Sequence, residues 1–196
     1  MIDVRVVPHE DLENQLDDLA ALRIAVFRDW PYLYDGDLAY ERQYLQMYRN
    51  TNRAVVVGAF DGDWMVGAAT GAPLGEHADD FAAAFEGTDV DVDATFYCAE
   101  SVLMPSYRGQ GIGHRFFDRR EKFAADLGFE NICFCAVDRP VTHPSRPATP
   151  RDLSSFWAGR GYAQLPGVKA TFAWRDVGDA QQTQKKLQIW MRHLDA

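Results

Sequence analysis

The sequence is most constrained at residues 101–117, SVLMPSYRGQGIGHRFF, where an apolar run stops at a proline and three glycines precede a helix-like segment. Gly109, Gly111 and Gly113 each lose more conformational entropy on folding than another residue would. A strand, a glycine turn and a helix in this order form an anion site, because the first N–H groups of a helix have no partner within it. We therefore expect the backbone here to approach a phosphate-bearing ligand.

Three kinds of anion loop can be compared with this stretch. A Walker A loop ends in Gly-Lys-Ser/Thr, but Ile112, Gly113 and His114 stand at that place. The dinucleotide pattern G-x-G-x-x-G needs a glycine three positions after Gly111, where the chain has His114. The pattern R-x-x-G-x-G fits, with Arg108, Gly111 and Gly113 at its fixed places.

The segment VLMPSYRGQGIGHRFF resembles the acyl-CoA-binding motif of the GNAT N-acyltransferase superfamily, V-x-P-x-Y-R-G-x-G-I-G. Leu103 takes the usual valine place, and the remaining matches are Pro105, Tyr107, Arg108, Gly109, Gly111, Ile112 and Gly113. The resemblance implies that the N–H groups from Gln110 to Gly113 hold the coenzyme A pyrophosphate beside Arg108 and Gly109. It also implies that Val102, Leu103 and Met104 pair with the pantetheine amides, in a gap between their strand and the strand at 131–137.

The rest of the chain predicts one α/β domain over residues 1–196. Helical spacing of leucines predicts helices over 9–29 and 38–50, the second with Leu38, Tyr44, Leu45 and Tyr48 inward. β-Rich runs around Asp61-Gly62 predict a hairpin over 53–74. The other predictions are strands at 3–8, 94–104, 131–137, 168–177 and 185–194, a helix or insertion at 77–87, and helices at 111–128 and 153–160. This order gives a mixed sheet with helices against it, and the resemblance implies the mostly antiparallel GNAT sheet.

Glu100 is the leading candidate for a general base that takes a proton from an amine, directly or through water, because it is the only acid on the strand that enters the motif. The alternative is a carboxylate that pairs with an arginine or caps a loop. Strict alternation places Glu100 with Cys98 and Val102 on one face of the strand, and Tyr97 and Leu103 on the other. Members of the family often have a bulge on this strand, so Tyr97 is kept as a second candidate for a polar catalytic role.

Trp157 marks a departure from the family pattern. Many members have a tyrosine five residues before the aromatic residue that follows the last helix, and it protonates the departing thiolate. Counting back from Tyr162, that place holds Trp157, whose indole N–H does not titrate. We expect Trp157 to pack on the cofactor arm or on the core, while Tyr97 or Cys98 serves as the acid or the thiolate leaves unaided.

The acceptor end is predicted from the resemblance, which places the loop between the first two helices over the cleft. This loop reads DWPYLYDGD, and Tyr32, Tyr34 and Asp35 are the candidates for an aromatic, acidic pocket that binds a cationic amine. The alternative is that the aromatic rings only pack the loop onto the sheet while the acids face solvent. The proline-rich loop 138–152, with its arginines, either closes over the cofactor phosphates or is a rigid surface connection.

Composition and charge limit the function. The chain has 196 residues and a net charge of −9, so its surface repels phosphate backbones and nucleic-acid binding is not expected. No run reaches the roughly 18 apolar residues of a membrane span. Cys98, Cys133 and Cys135 lie in apolar runs, which favours small buried side chains over a disulfide framework or a metal site and suggests a cytoplasmic location.

We therefore expect an acetyl-CoA-dependent N-acetyltransferase that acts on a primary amine of a small molecule or a protein by direct transfer. Two alternatives stay open: a non-catalytic acyl-CoA-binding or sensing module, and a transferase that uses a longer acyl-CoA. No metal is expected. A homodimer is left open as an assembly state, because the sequence does not bear on it.

Overall fold

The computed structural model describes residues 1–76 and 83–194, and eight strands in these ranges form one sheet. The strands are β1 Asp3–Val6, β2 Val55–Asp61, β3 Trp64–Pro73, β4 Thr95–Tyr97, β5 Ser101–Leu103, β6 Asn131–Asp138, β7 Ala163–Arg175 and β8 Gln182–His193. Their order is β1-β2-β3-β4-β6-β8-β7, with β5 paired to β3. Only β4 and β6 run parallel, so the sheet is mixed and mostly antiparallel, as predicted.

Four helices and three short 3-10 turns connect the strands in the described ranges. The helices are α1 Leu12–Phe27, α2 Leu38–Asn50, α3 Ile112–Asp126 and α4 Ser154–Gly159, and the turns are His9–Asp11, Leu74–Glu76 and Pro105–Tyr107. The Asp37 side chain caps α2 by accepting a hydrogen bond from the Tyr40 N–H at 2.9 Å. None of the helices in the described ranges is both long and apolar enough to cross a membrane.

The helices cover both faces of the sheet, because successive strand residues point to opposite sides. On one face, α3 packs on Val55, Val57 and Ala59 of β2, while Ile132 and Phe134 of β6 belong to the same apolar cluster. On the other face, α1 and α2 pack on Val56 and Phe60 of β2 and on Val102 of β5. The part of this second face formed by β4, β6, β7 and β8 has its own apolar cluster, which includes Leu74, Phe85, Cys133 and Ile189.

The strand before the glycine turn is broken by a bulge, and the break opens the sheet. Tyr97 pairs with Ala72 of β3, whereas Ser101 pairs with Ala69, so β4–β5 holds one residue more than β3 over this stretch. The Thr70 carbonyl accepts from the Ala99 N–H at 3.2 Å, while the Thr70 N–H donates to the Glu100 carbonyl at 3.0 Å. Beyond the bulge, β5 stays with β3 while β6 continues beside β8, which leaves a gap between β5 and β6.

Several sequence predictions were wrong in detail. The hairpin turn is Gly62–Asp63 rather than Asp61-Gly62, since Asp61 pairs with Trp64. Leu38, predicted on the inner stripe of α2, is 51% exposed, and Glu41 is buried there instead. β7 begins at Ala163, five residues before the predicted start, with an irregularity between Gln164 and Lys169. Most of the helix or insertion predicted at 77–87 lies outside the described residues.

Candidate active site

A cleft of about 1040 Å³ runs along the gap between β5 and β6. The glycine turn and the start of α3 form one wall, and β6, α4 and the proline-rich loop 139–153 form the other. The first loop after α1 closes one end through Trp30, Pro31 and Tyr32. The cleft therefore connects the predicted phosphate site to the predicted acceptor loop.

The glycine turn has the backbone conformation of an anion loop. Gly109 and Gly111 have φ of 78° and 75°, in the left-handed region that disfavours residues with a Cβ. Gly111 is the N-cap of α3, so the N–H groups of the first helical turn have no acceptor within the helix. Gly109, Gly111, Ile112 and Gly113 line the cleft. Gln110 itself is exposed, and its side-chain amide donates to the Ser106 carbonyl at 3.5 Å.

Arg108 bridges the turn and β5. Its Nε donates to the Leu103 carbonyl at 3.2 Å, which holds the guanidinium at the cleft. Burial lowers the pKa of Arg108, and the positive charge of Arg151 lowers it further. The negative charge of Asp29 opposes both effects but does not outweigh them.

The backbone N–H and C=O groups of successive β5 residues point alternately toward β3 and toward the gap. The Glu100 carbonyl and the Met104 N–H both bond to β3, the latter at 2.9 Å to the Val66 carbonyl. Because ladder bonds alternate along an antiparallel pair, the N–H and C=O of Leu103 point away from β3 and toward β6. Of the three residues predicted to pair with pantetheine, Leu103 therefore presents its backbone to the gap, while Val102 and Met104 belong to the ladder with β3.

Glu100 is buried in a network of donors beneath α1 and α2. One carboxylate oxygen forms an ion pair with Arg23, and the other accepts from Thr70 Oγ1 and from Tyr48 OH at 3.0 Å. Arg23 also pairs with the buried Glu41. Burial alone lowers the pKa of Arg23, but the charge of Glu100, with Tyr44 and Glu41, outweighs burial and raises it. The structure thus contains the arginine pairing that the sequence left as the alternative, on a carboxylate that also borders the cleft.

The bulge decides which way the residues of this strand face. Cys98 packs in the cluster beneath α3, whereas Val102 packs with α1 and α2, so strict alternation from Cys98 to Val102 was wrong. Tyr97 points to the same side of the sheet as Cys133 and Cys135. Its hydroxyl lies 3.0 Å from Cys135 Sγ, and Cys135 borders the cleft. Burial raises the pKa of Tyr97 well above its usual value and that of Cys135 to about 12, so both groups keep their protons at neutral pH.

Trp157 lies on α4 and borders the cleft. Its ring centroid is 5.0 Å from that of Phe134 and 5.1 Å from that of Trp190, so it extends the aromatic core to the cleft wall. Its backbone N–H donates to the Leu153 carbonyl and its carbonyl accepts from the Tyr162 N–H at 3.1 Å. The packing holds an apolar ring where the family pattern has a phenol.

Comparisons with known proteins agree with this geometry. A profile of the acetyltransferase (GNAT) family matches residues 19–150. The chain belongs to this family. No curated protein sequence matches it.

Solved structures show that the GNAT fold extends over the whole chain. An N-acetyltransferase from Staphylococcus aureus Mu50 superposes with a TM-score of 0.61 at 13% identity, covering 100% of this chain and 99% of its own. The PaiA N-acetyltransferase from Thermoplasma acidophilum, solved with coenzyme A, gives 0.54 at 13% identity over 98% and 99%. YncA from Salmonella typhimurium, solved with acetyl-CoA, gives 0.58 at 13% identity over 100% and 95%.

The predicted acceptor residues lie in two different settings in this GNAT protein. Tyr32 borders the cleft, and its ring lies 4.3 Å from Phe27 and 6.0 Å from Trp174 between centroids. Tyr34 and Asp35 lie beside the cleft rather than in its wall. Asp35 forms ion pairs with Arg175 at 2.7 Å and Arg28 at 3.4 Å, and burial followed by a hydrogen bond to Glu41 raises the pKa of Tyr34.

Sequence reasoning missed a junction that holds the predicted acceptor loop, the loop after α1. The Arg139 guanidinium donates to the Pro31 carbonyl at 2.9 Å, to the Tyr32 carbonyl at 2.6 Å, and to both oxygens of Asp176. Lys185 also pairs with Asp176 at 3.0 Å. The junction joins residues more than 100 positions apart, so no local pattern could reveal it. The sequence does indicate that Arg23 is unusual, because it is the one charged residue in the otherwise apolar segment LAALRIAVF.

The cysteines are free thiols. Within residues 1–76 and 83–194, no group of three or more His, Cys, Asp or Glu side chains comes together as a metal site. Burial raises the pKa of Cys98 to about 11, which keeps this thiol protonated at neutral pH.

Proposed function

We propose that this chain is a GNAT N-acetyltransferase, one domain over residues 1–196, that moves an acetyl group from acetyl-CoA directly to a primary amine of a small molecule or protein. The observation that carries the proposal is the gap between β5 and β6, which opens beside the left-handed glycines at the start of α3. An extended ligand with phosphates at one end and amides along its arm matches such a gap. The free thiols suggest the reducing cytoplasm as its location.

The residues of the turn and of β5 would hold acetyl-CoA, which supplies the acyl thioester. The N–H groups from Gln110 to Gly113 would take the pyrophosphate, with Arg108 and Gly109 beside them. A Cβ built on Gly109 or Gly111 meets nothing within 4 Å, so the space above the turn is open to a ligand. Along the arm, the backbone of Leu103, flanked by Val102 and Met104, would pair with the amides, and Trp157 would cover the arm from α4.

Two residues of the bulged strand are proposed for proton transfer. Glu100 would accept the amine proton, directly or through water, and its place at the edge of the cleft supports this role. Tyr97 keeps its proton because burial raises its pKa, so it could donate to the departing thiolate near Cys135. Tyr32 would contact the acceptor amine, with Tyr34 and Asp35 behind it.

The first test is binding and turnover with the purified chain. We expect coenzyme A and acetyl-CoA at millimolar concentration to raise the melting temperature, and acetyl-CoA to release free thiol with at least one member of a panel of primary amines. An unchanged melting temperature at that concentration would refute the proposal.

A matched pair of glycine variants tests the site of binding. Gly111→Ala and Gly62→Ala both place a Cβ at positive φ with open space around it, and each should destabilise the fold by about 1 kcal/mol. Gly62 lies in the β2–β3 turn, outside the cleft. We expect only Gly111→Ala to weaken acetyl-CoA binding, measured by calorimetry, and equal weakening in both variants would count against the anion turn.

The second candidate is a non-catalytic acyl-CoA-binding module. It is favoured by Trp157, which replaces the family's proton-donating tyrosine with a ring that cannot titrate. The amine panel separates the two functions, because binding without thiol release would support the module. Acyl donors of increasing chain length in the same assay test the third alternative, a transferase that uses a longer acyl-CoA.

A further inference from the structure

Four arginines that border the cleft form no ion pair within the described residues: Arg108, Arg120, Arg146 and Arg151. Ion pairs match most other arginines to carboxylates, as Arg160 is to Asp118 and Glu121. Arg120 is buried, and its guanidinium donates to the Thr70 and Glu100 carbonyls and to Ser101 Oγ, which leaves the other three for a ligand. In a chain with a net charge of −9, these three are a local excess of positive charge.

The arginines come from two segments that the fold brings face to face. Arg108 precedes the glycine turn, while Arg146 and Arg151 lie on the proline-rich loop before α4. α4 packs on the start of α3, because the Phe156 ring lies 4.8 Å from that of His114 and a Cβ on Gly113 would meet it at 3.6 Å. Arg151 lies three residues before α4, and Arg151 and the glycine turn border the same cleft. Burial is the main cause that lowers the pKa of Arg108, and the positive charge of Arg151 lowers it further.

The negative charge of Asp29 raises the pKa of Arg108 and so offsets part of the effect of burial and of Arg151, but Asp29 forms no ion pair with Arg108 within the described residues. Asp152 accepts a hydrogen bond from the Ser154 N–H at 2.8 Å, at the start of α4. The loop is also stiffened by four prolines between 140 and 150 and by turns in which the His143 and Arg146 N–H groups donate to Pro140 and His143 at 3.0 Å. A stiff loop loses little entropy when its side chains bind, so the positive charges are held ready for an anion.

We propose that Arg108, Arg146 and Arg151 form a site for a phosphate monoester, and that its ligand is the 3′-phosphate on the ribose of coenzyme A. The inference rests on the proposed function, in which the glycine turn already takes the pyrophosphate. A phosphate monoester carries a charge of about −1.5 to −2 at pH 7 and is bound well by more than one guanidinium. The cations gathered around the turn therefore match the additional phosphate of the same ligand.

Coenzyme A and 3′-dephospho-coenzyme A distinguish this site from the pyrophosphate site. By calorimetry we expect the wild-type chain to bind coenzyme A about tenfold more tightly than the dephospho form, as one charge-assisted contact predicts. Arg151→Ala should remove most of this preference while it changes dephospho-coenzyme A affinity less than about twofold. Arg146→Ala should act in the same direction. Arg119→Ala, which removes the same charge from the exposed face of α3 outside the cleft, should leave the preference unchanged.

The outcomes separate this inference from the proposed function. A wild-type chain that binds both ligands equally, or an Arg151→Ala variant that weakens both equally, would overturn the 3′-phosphate site and leave the acetyltransferase proposal standing. A wild-type chain that binds neither ligand would overturn both. Arg146 and Arg151 are exposed, so the variants should keep the wild-type melting temperature without ligand, and this is checked first.

Discussion

At the scale of single residues, Glu100 has the surroundings that matter most to the proposed chemistry. The residue is 5% exposed, and donors from α1, α2 and β3 engage both carboxylate oxygens. Arg120 additionally donates to the Glu100 carbonyl at 2.9 Å, which fixes the backbone of the bulge. A carboxylate in this setting contributes to stability, so a test of its proposed role in proton transfer must separate the two contributions.

The Glu100→Gln variant makes this separation. If Glu100 accepts the amine proton, kcat at pH 7 should fall by about 100-fold or more and recover at high pH, where the amine loses its proton unaided. Stability should fall by up to about 3 kcal/mol, because Arg23 loses one of its two carboxylate partners. The measurements are urea unfolding and a pH–rate profile.

Glu121→Gln is the matched control for this prediction. Glu121 lies on α3, outside the cleft wall. Its poorly exposed carboxylate forms ion pairs with Arg160 and Arg192. The variant should lose stability in the same way and keep the wild-type pH–rate profile. A Glu100→Gln enzyme with a wild-type profile would remove Glu100 as the base and leave it the structural role of an arginine partner.

At the scale of elements, the cleft depends on loops that are tied to the sheet by charge. Arg139 on the proline-rich loop, Tyr32 on the loop after α1 and Asp176 after β7 meet in one buried junction. Trp174 adds a hydrogen bond from its indole N–H to the Tyr32 carbonyl at 3.0 Å. Burial by itself raises the pKa of Asp176, but hydrogen bonds and charge from Arg139 and Lys185 outweigh it and lower the pKa.

The contribution of this junction to stability is tested by comparing the free energies of unfolding of the Arg139→Ala and Arg175→Ala variants. Arg139 is enclosed, and its removal leaves carbonyls and a carboxylate without donors, so we expect a loss of about 3 kcal/mol in the free energy of unfolding. Arg175 forms a half-exposed pair with Asp35 and should cost about 0–1 kcal/mol. Equal losses in urea unfolding would show that the junction does not hold the loops.

The junction also makes the free energy of unfolding depend on pH in the acidic range. The pKa of Asp176 is lower in the folded chain than in the unfolded chain, where it is near 3.8. Its contribution is therefore complete above pH 4 and is lost as the pH falls through the folded pKa. In the Arg139→Ala variant this part of the acid dependence should become smaller.

At the scale of the whole molecule, the core encloses several titratable phenols. Tyr48, Tyr97 and Tyr162 are at most 2% exposed, and burial is the main cause that raises the pKa of each. In the unfolded chain these hydroxyls ionise near pH 10. Stability is therefore complete below pH 10 and falls above it, by about 1.4 kcal/mol per pH unit for each tyrosine.

We expect these tyrosines to ionise only as the fold is lost. Absorbance at 295 nm, followed with far-ultraviolet circular dichroism, should show their tyrosinate signal together with the loss of secondary structure. Tyr97→Phe should make the alkaline decline shallower, whereas Tyr40→Phe, at a 61% exposed position, should not. A full tyrosinate signal from a chain that keeps native dichroism would contradict the prediction.

Local sequence signals predicted most helices and strands of this protein and the conformation of its glycine turn. Periodicity, capping and turn residues act within a few positions of the chain. They predicted the limits of α2, the start of α3 and the succession of helices and strands along the chain. The glycine turn could be predicted for the same reason, because positive φ is a property of single residues that glycine adopts readily. The family resemblance then implied the gap beside β5, and the fold confirmed that β5 and β6 part after the bulge.

The tertiary structure alone decided what surrounds the reactive groups. The bulge at Ala99 and Glu100 turned Glu100 toward α1 and α2, where Arg23 meets it across 77 residues of chain. α4 packs on the start of α3, and Arg151 and the glycine turn border one cleft, while Arg139 reached the loop after α1 across more than 100 residues. Sequence determined the local conformations because these depend on neighbours in the chain. Charge pairing, burial and the facing of side chains depend on neighbours in space, which only the packed sheet supplies.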